Sequence, residues 1–71
     1  MAKEIFVIHY KWHGERGWNI GYSHTLDEAM DSTDRMRSQS LLAVYRIEKV
    51  TTDDDGFETT QLVAESAVIH G

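Results

Sequence analysis

Residues 5–23 read IFVIHYKWHGERGWNIGYS, and this stretch decides the fold. Phe6, Ile8, Tyr10 and Trp12 alternate with Ile5, Val7, His9 and Lys11. That period of two puts successive side chains on opposite faces of a strand. Trp18, Ile20 and Tyr22 then alternate with Asn19, Gly21 and Ser23 in a second strand. Between the runs lies His13-Gly14-Glu15-Arg16-Gly17, whose glycines can take the positive φ of a hairpin loop. Pairing Trp12 with Trp18, Tyr10 with Ile20 and Ile8 with Tyr22 gathers the large side chains on one face. Cross-strand aromatic pairs there stabilise by roughly 0.2–1 kcal/mol each. A slip of one residue would scatter them over both faces, so this register is the expected one.

Downstream, His24-Thr25-Leu26-Asp27-Glu28 marks a helix start, with Thr25 able to cap the amide of Glu28 in a capping box. Asp27, Glu28 and Asp31 fill the first turns and Arg35 and Arg37 the last, as the helix dipole favours. Leu26, Ala29, Met30, Thr33 and Met36 form the stripe expected to be buried, and the helix should stop near residues 38–40. A third strand is expected over residues 41–52. Leu41, Ala43, Tyr45 and Ile47 lie on one of its faces, with Leu42, Val44, Arg46, Glu48 and Val50 on the other. Asp53-Asp54-Asp55-Gly56 is a turn ending in Asp-Gly, a strong hairpin dipeptide. The return strand covers residues 57–65, and residues 66–70 could extend it. The fold class is therefore α+β, a ββαββ chain: a four-stranded antiparallel sheet of two hairpins with one helix packed on one face. Residues 1–71 are expected to form one small domain.

The chain has no cysteine, which leaves no disulfide and no thiolate metal site and points to a reducing, cytoplasmic setting. The apolar run ending at His9 is too short to span a membrane. The net charge of −5 is uneven. Residues 1–24 carry Lys3, Lys11 and Arg16 against Glu4 and Glu15; the remainder carries Arg35, Arg37, Arg46 and Lys49 against ten carboxylates. An acidic chain repels phosphate backbones at long range, which disfavours non-specific nucleic-acid binding.

One short helix cannot cover a sheet that is apolar on both faces. Ile5, Val7, Leu42, Val44, Phe57 and Val63 are expected opposite the aromatic set, and leaving several of them in water would forfeit several kcal/mol. Either the sheet curls or Ala67, Val68 and Ile69 fold back over it, or that face is an interface.

The remaining constellations are weaker. His9, His13, His24 and His70 show no metal-ligand spacing, and Asp53, Asp54 and Asp55 lack the alternation of a calcium loop. No cofactor or metal is expected. No nucleophile elbow, phosphate loop or paired-carboxylate pocket is visible, so no enzymatic activity is expected. Lys11, His13 and Arg16 interleave with Trp12 and Trp18, an alternative nucleic-acid-binding tip. The candidate partner-binding residues are Asp27, Asp31, Asp34, Asp53, Asp54 and Asp55, whose carboxylates could imitate a phosphate track, together with Val7, Leu42 and Val44 on the uncovered face.

No motif identifies a family. In size, acidity and lack of cysteine the chain resembles the compact inhibitors that bacteriophages use against host enzymes, including anti-CRISPR proteins and DNA mimics. That resemblance implies a non-enzymatic protein-binding module acting by surface occlusion on a host nucleic-acid-processing or defence protein, in the host cytoplasm if the chain is viral. The expected partners are another protein or a second copy in a homodimer, with no membrane. The alternatives are a small RNA- or DNA-binding domain and a structural subunit of a homo-oligomer.

Overall fold

The computed structural model describes residues 3–39 and 42–66. In chain order the elements are β1 (Lys3–Trp12), β2 (Asn19–Ser23), α1 (Leu26–Ser38), β3 (Leu42–Thr52) and β4 (Glu58–Glu65). All pairings are antiparallel and the strand order is β2-β1-β3-β4, so the longest strands are central and β2 and β4 form the edges. The ββαββ order and the single helix match the sequence reading. Ser66 continues the last strand, its N–H donating to the Tyr45 carbonyl at 3.0 Å. The extension through 67–70, the return of Ala67, Val68 and Ile69, and the positions of Leu41 and His70 lie outside the described residues.

Local chemistry explains the boundaries. Thr25 is the N-cap of α1, its Oγ1 accepting from the Glu28 N–H at 3.1 Å. In the second turn, Asp53 Oδ1 accepts from the N–H groups of Asp55 and Phe57, both at 2.9 Å. Gly56 there adopts φ +89, a left-handed conformation that a side chain would strain. In the first loop the Trp12 carbonyl accepts from Glu15 N–H at 3.2 Å, with Gly14 at φ +88.

The core lies between α1 and one face of β1 and β3. Ile8, Ala29, Tyr45 and Ile47 are buried, with Phe6, Tyr10, Met30, Met36, Val63 and Ala64 packed around them. Thr33 is also fully buried, and its hydroxyl donates to the Met30 carbonyl at 2.9 Å. Leu26, expected in the buried stripe, is instead 39% exposed at the start of the helix.

The first hairpin departs from the expected register by one residue. Val7 lies opposite Tyr22, Ile8 opposite Gly21, His9 opposite Ile20 and Tyr10 opposite Asn19. The pairs Ile8–Tyr22 and Tyr10–Ile20 do not form, and β2 begins at Asn19, leaving Trp18 in the loop. The aromatic set is thereby divided. Phe6, Ile8, Tyr10 and Trp12 stay with the helix, while Trp18, Ile20 and Tyr22 turn to the opposite side. The hydrophobic core is made by α1, β1 and β3 and holds no residue of the edge strand β2, whose helix side carries the small Asn19, Gly21 and Ser23. A Cβ at Gly21 would meet the Tyr10 ring at 3.8 Å, an ordinary contact.

Two irregularities refine the other pairings. Between Lys11–Val44 and Trp12–Leu42, Ala43 is the extra residue of a bulge. Between Ile47–Ala64 and Glu48–Leu62 the extra residue is Val63. A bulge re-aims the side chains around it. Val63, expected on the uncovered face, accordingly joins Ala64 against the core. Phe57, expected on the same face, sits in the turn before β4 and is 73% exposed.

Candidate functional site

With α1 on one side, the other face of the sheet has no covering element among the described residues. The registers place its side chains in rows that run from β2 across to β4. Lys11 and Val44 come first, with the loop residue Trp18 beside Lys11; then Ile20, His9, Arg46 and Glu65; then Tyr22, Val7, Glu48 and Leu62; then Ile5, Val50 and Thr60; and last Lys3, Thr52 and Glu58. Trp18 (53%), Ile20 (52%), Tyr22 (68%), Val44 (37%) and Leu62 (48%) are all exposed there. These five make up most of the large exposed apolar side chains of the described residues, and they lie on one surface.

At the centre of this face three polar side chains come together. His9 Nε2 lies 2.8 Å from Glu48 Oε1, and Arg46 Nε lies 4.0 Å from the same oxygen. His9 and Glu48 are half-buried between Val7, Ile20 and Leu62. At one end the Lys11 ammonium lies 5.9 Å from the Trp18 ring centroid, a cation–π geometry. The face carries Lys3, Lys11 and Arg46 against Glu48, Glu58 and Glu65, which cancel with the histidines neutral. The net charge of −5 therefore resides on the helix side and the turns.

The structure divides the expected partner-binding residues between two sides of the molecule. Val7 is half-buried and Val44 exposed on the open face, and Leu42 opens β3 opposite Trp12. Asp27, Asp31 and Asp34 lie on α1, behind the sheet. Asp31 pairs with Arg35 at 2.9 Å and Asp34 with Arg37 at 3.7 Å, so much of the helix's negative charge is matched within the helix. Asp53 is engaged in its own turn, where Asp54 and Asp55 are exposed. Of the alternative tip, Lys11 lies on the open face, while His13 and Arg16 are exposed in the loop.

Sequence reasoning missed Trp18, Ile20, Tyr22 and Leu62 as surface residues, and the His9–Glu48–Arg46 cluster. The signal that could have found the first three is the small set Asn19, Gly21 and Ser23, the other face that β2 could turn toward the helix.

On the helix side, an open cleft of about 380 Å³ runs between α1 and β2, lined among others by Tyr10, Gly21, Ser23, Ser32, Arg35 and Gln39. Its cation, Arg35, is the partner of Asp31. Among the described residues no group of three or more His, Asp or Glu side chains could hold a metal ion, and no helix is long and apolar enough to cross a membrane. Comparison with protein-family models, curated proteins and solved structures finds no match to this chain.

Proposed function

We propose that this chain is a non-enzymatic protein-binding module that docks a partner protein on the open face of its sheet. The observation that carries the reading is the alignment of Trp18, Ile20, Tyr22, Val44 and Leu62 on the side away from α1. An apolar, aromatic-rich centre with internally paired charges has the composition of an interface core. The surface is electrically balanced, which suits a protein partner better than a phosphate chain. The resemblance in size, acidity and lack of cysteine to compact phage inhibitors extends the proposal to a class of partner: a nucleic-acid-processing or defence protein of a host cell, blocked by occlusion.

The version in which the acidic helix imitates DNA has less behind it, because Asp31 and Asp34 are matched by Arg35 and Arg37. A second reading has one specific observation in its favour: Trp18 and Tyr22 are exposed, and Lys11 lies over the Trp18 ring. Such residues can stack bases of a single strand. A gel-shift titration at two salt concentrations separates this reading from protein binding, since phosphate contact weakens as salt rises.

The main test compares the wild-type chain with Val44→Glu/Leu62→Glu as baits in affinity capture from the source cell, read by mass spectrometry. Both substituted side chains are exposed and outside the core, so the variant should keep its circular dichroism spectrum. A protein retained by the wild type and lost by the variant is the expected result. Equal capture by a folded variant would sink the open-face reading. Reversing Asp27, Asp31 and Asp34 to lysine should leave that capture unchanged; a steep loss would move the site to the helix.

A further inference from the structure

The two edges of the sheet are built differently. β4 has the features that keep an edge from pairing further: glutamates at both ends, a bulge at Val63 and a polar run at Thr59, Thr60 and Gln61. β2, Asn19-Ile20-Gly21-Tyr22-Ser23, has none of them. It contains no charge, no proline and no bulge in its pairing with β1, and its outward side chains are large and apolar. An edge strand leaves one side of its backbone without ladder partners, so β2 is an open template for another strand.

We infer that β2 pairs antiparallel with β2 of a second copy, joining the two sheets across a two-fold axis at Gly21. The sequence of β2 is complementary to itself in that register. Gly21 meets Gly21, Ile20 meets Tyr22 and Asn19 meets Ser23 of the other copy. Apolar side chains then face apolar ones on the open side, and small polar ones face each other on the helix side. Both helices end on the same side, and the two open faces join into one surface of twice the width.

Charge favours this contact over others. The strand and its face are balanced, whereas the helix side and the turns hold the whole net charge of −5, so two copies approaching by those surfaces repel. The area sets the strength. Fully covered aromatic side chains bury ~150–250 Å² each, so Trp18, Ile20 and Tyr22 at their exposures offer on the order of 400 Å² of apolar surface per copy. Counted over both copies this lies below the ~1,200–2,000 Å² of stable complexes, which makes the pairing a weak, concentration-dependent one.

Sedimentation velocity over a wide concentration range, on the full chain, tests the inference. The wild type should pass from monomer to dimer as concentration rises. Ile20→Lys/Tyr22→Lys sets lysine against lysine at both symmetric pairs and should weaken the dimer by ~100-fold or more. Ile20→Lys/Tyr22→Glu sets lysine against glutamate at the same pairs and should recover at least ~10-fold of that loss. A wild type that stays monomeric throughout, or a dimer indifferent to the lysine pair, overturns the inference.

A Gly21→Cys chain provides a readout that does not depend on those variants folding. The cysteine is the sole one in the chain, and the nearest atom to its Cβ is the Tyr10 ring at 3.8 Å, an ordinary contact. Facing residues of antiparallel strands have Cα atoms ~4.5–5.5 Å apart, within disulfide range, so oxidation should yield a covalent dimer. Leu62→Cys, on the far edge, should not. Equal crosslinking at both positions would overturn the register. This inference and the partner proposal fail separately, because Val44→Glu/Leu62→Glu lies away from the β2 seam and should leave sedimentation unchanged.

Discussion

Truncating two isoleucines tests which face of the sheet is the core. Ile47→Ala and Ile20→Ala delete the same atoms, Cγ1, Cγ2 and Cδ1, from two β-strand positions. Ile47 is fully buried at the centre of the core. At about 0.8 kcal/mol per buried carbon, plus a term for the cavity left beside Tyr45 and Ala29, its truncation should cost about 3–4 kcal/mol. Ile20 is 52% exposed and has no covering element, so its truncation forfeits about half the transfer term and leaves no cavity, about 1 kcal/mol. A chain of this length is worth about 4–11 kcal/mol in total, so Ile47→Ala removes a large part of the stability. Urea unfolding followed by tryptophan fluorescence measures both. With an m-value of about 1 kcal/mol/M, the midpoint should fall by about 3 M for Ile47→Ala and about 1 M for Ile20→Ala. The protein should be dilute, so that self-association does not contribute. If Ile20→Ala cost as much as Ile47→Ala, Ile20 would belong to the core, and the one-residue shift in register with its open aromatic face would be refuted.

Two further substitutions probe the local chemistry. Thr25→Ala removes the oxygen that accepts from Glu28 N–H, and should lower stability by about 1 kcal/mol with a matching loss of helical signal on thermal melting. Gly56→Ala should cost about 1 kcal/mol or more in the same urea assay, from backbone strain alone: φ is +89 and nothing lies within 4 Å of the new Cβ. A neutral result would mean that the turn relaxes to another conformation.

Local pattern alone made the elements legible. Period-two alternation marks the strands, Thr25 and Glu28 mark the helix start, and Asp55-Gly56 marks the second hairpin; each depends on residues a few positions apart, and each is found where expected. The uncovered face was also legible in kind, from the excess of apolar strand positions over what one helix can cover. Its membership was not. Alternation puts Val7 and Val44 on it, as found. It also puts Val63 there, which packs against the core, and it puts Trp18, Ile20 and Tyr22 in the core, whereas they are exposed.

The sequence by itself determined that there are two hairpins around one helix, because turn chemistry and side-chain period are local properties. Only the tertiary structure decided which face of β2 is buried. In an isolated hairpin, stacking all the aromatics together is the favourable register, and local reasoning selects it. In the folded chain α1 closes its core on β1 and β3 with no residue of β2, and the register leaves the small Gly21 and Ser23 on the helix side. That register forgoes aromatic pairs worth roughly 0.2–1 kcal/mol each and turns Trp18, Ile20 and Tyr22 outward. The candidate site is the consequence of that exchange.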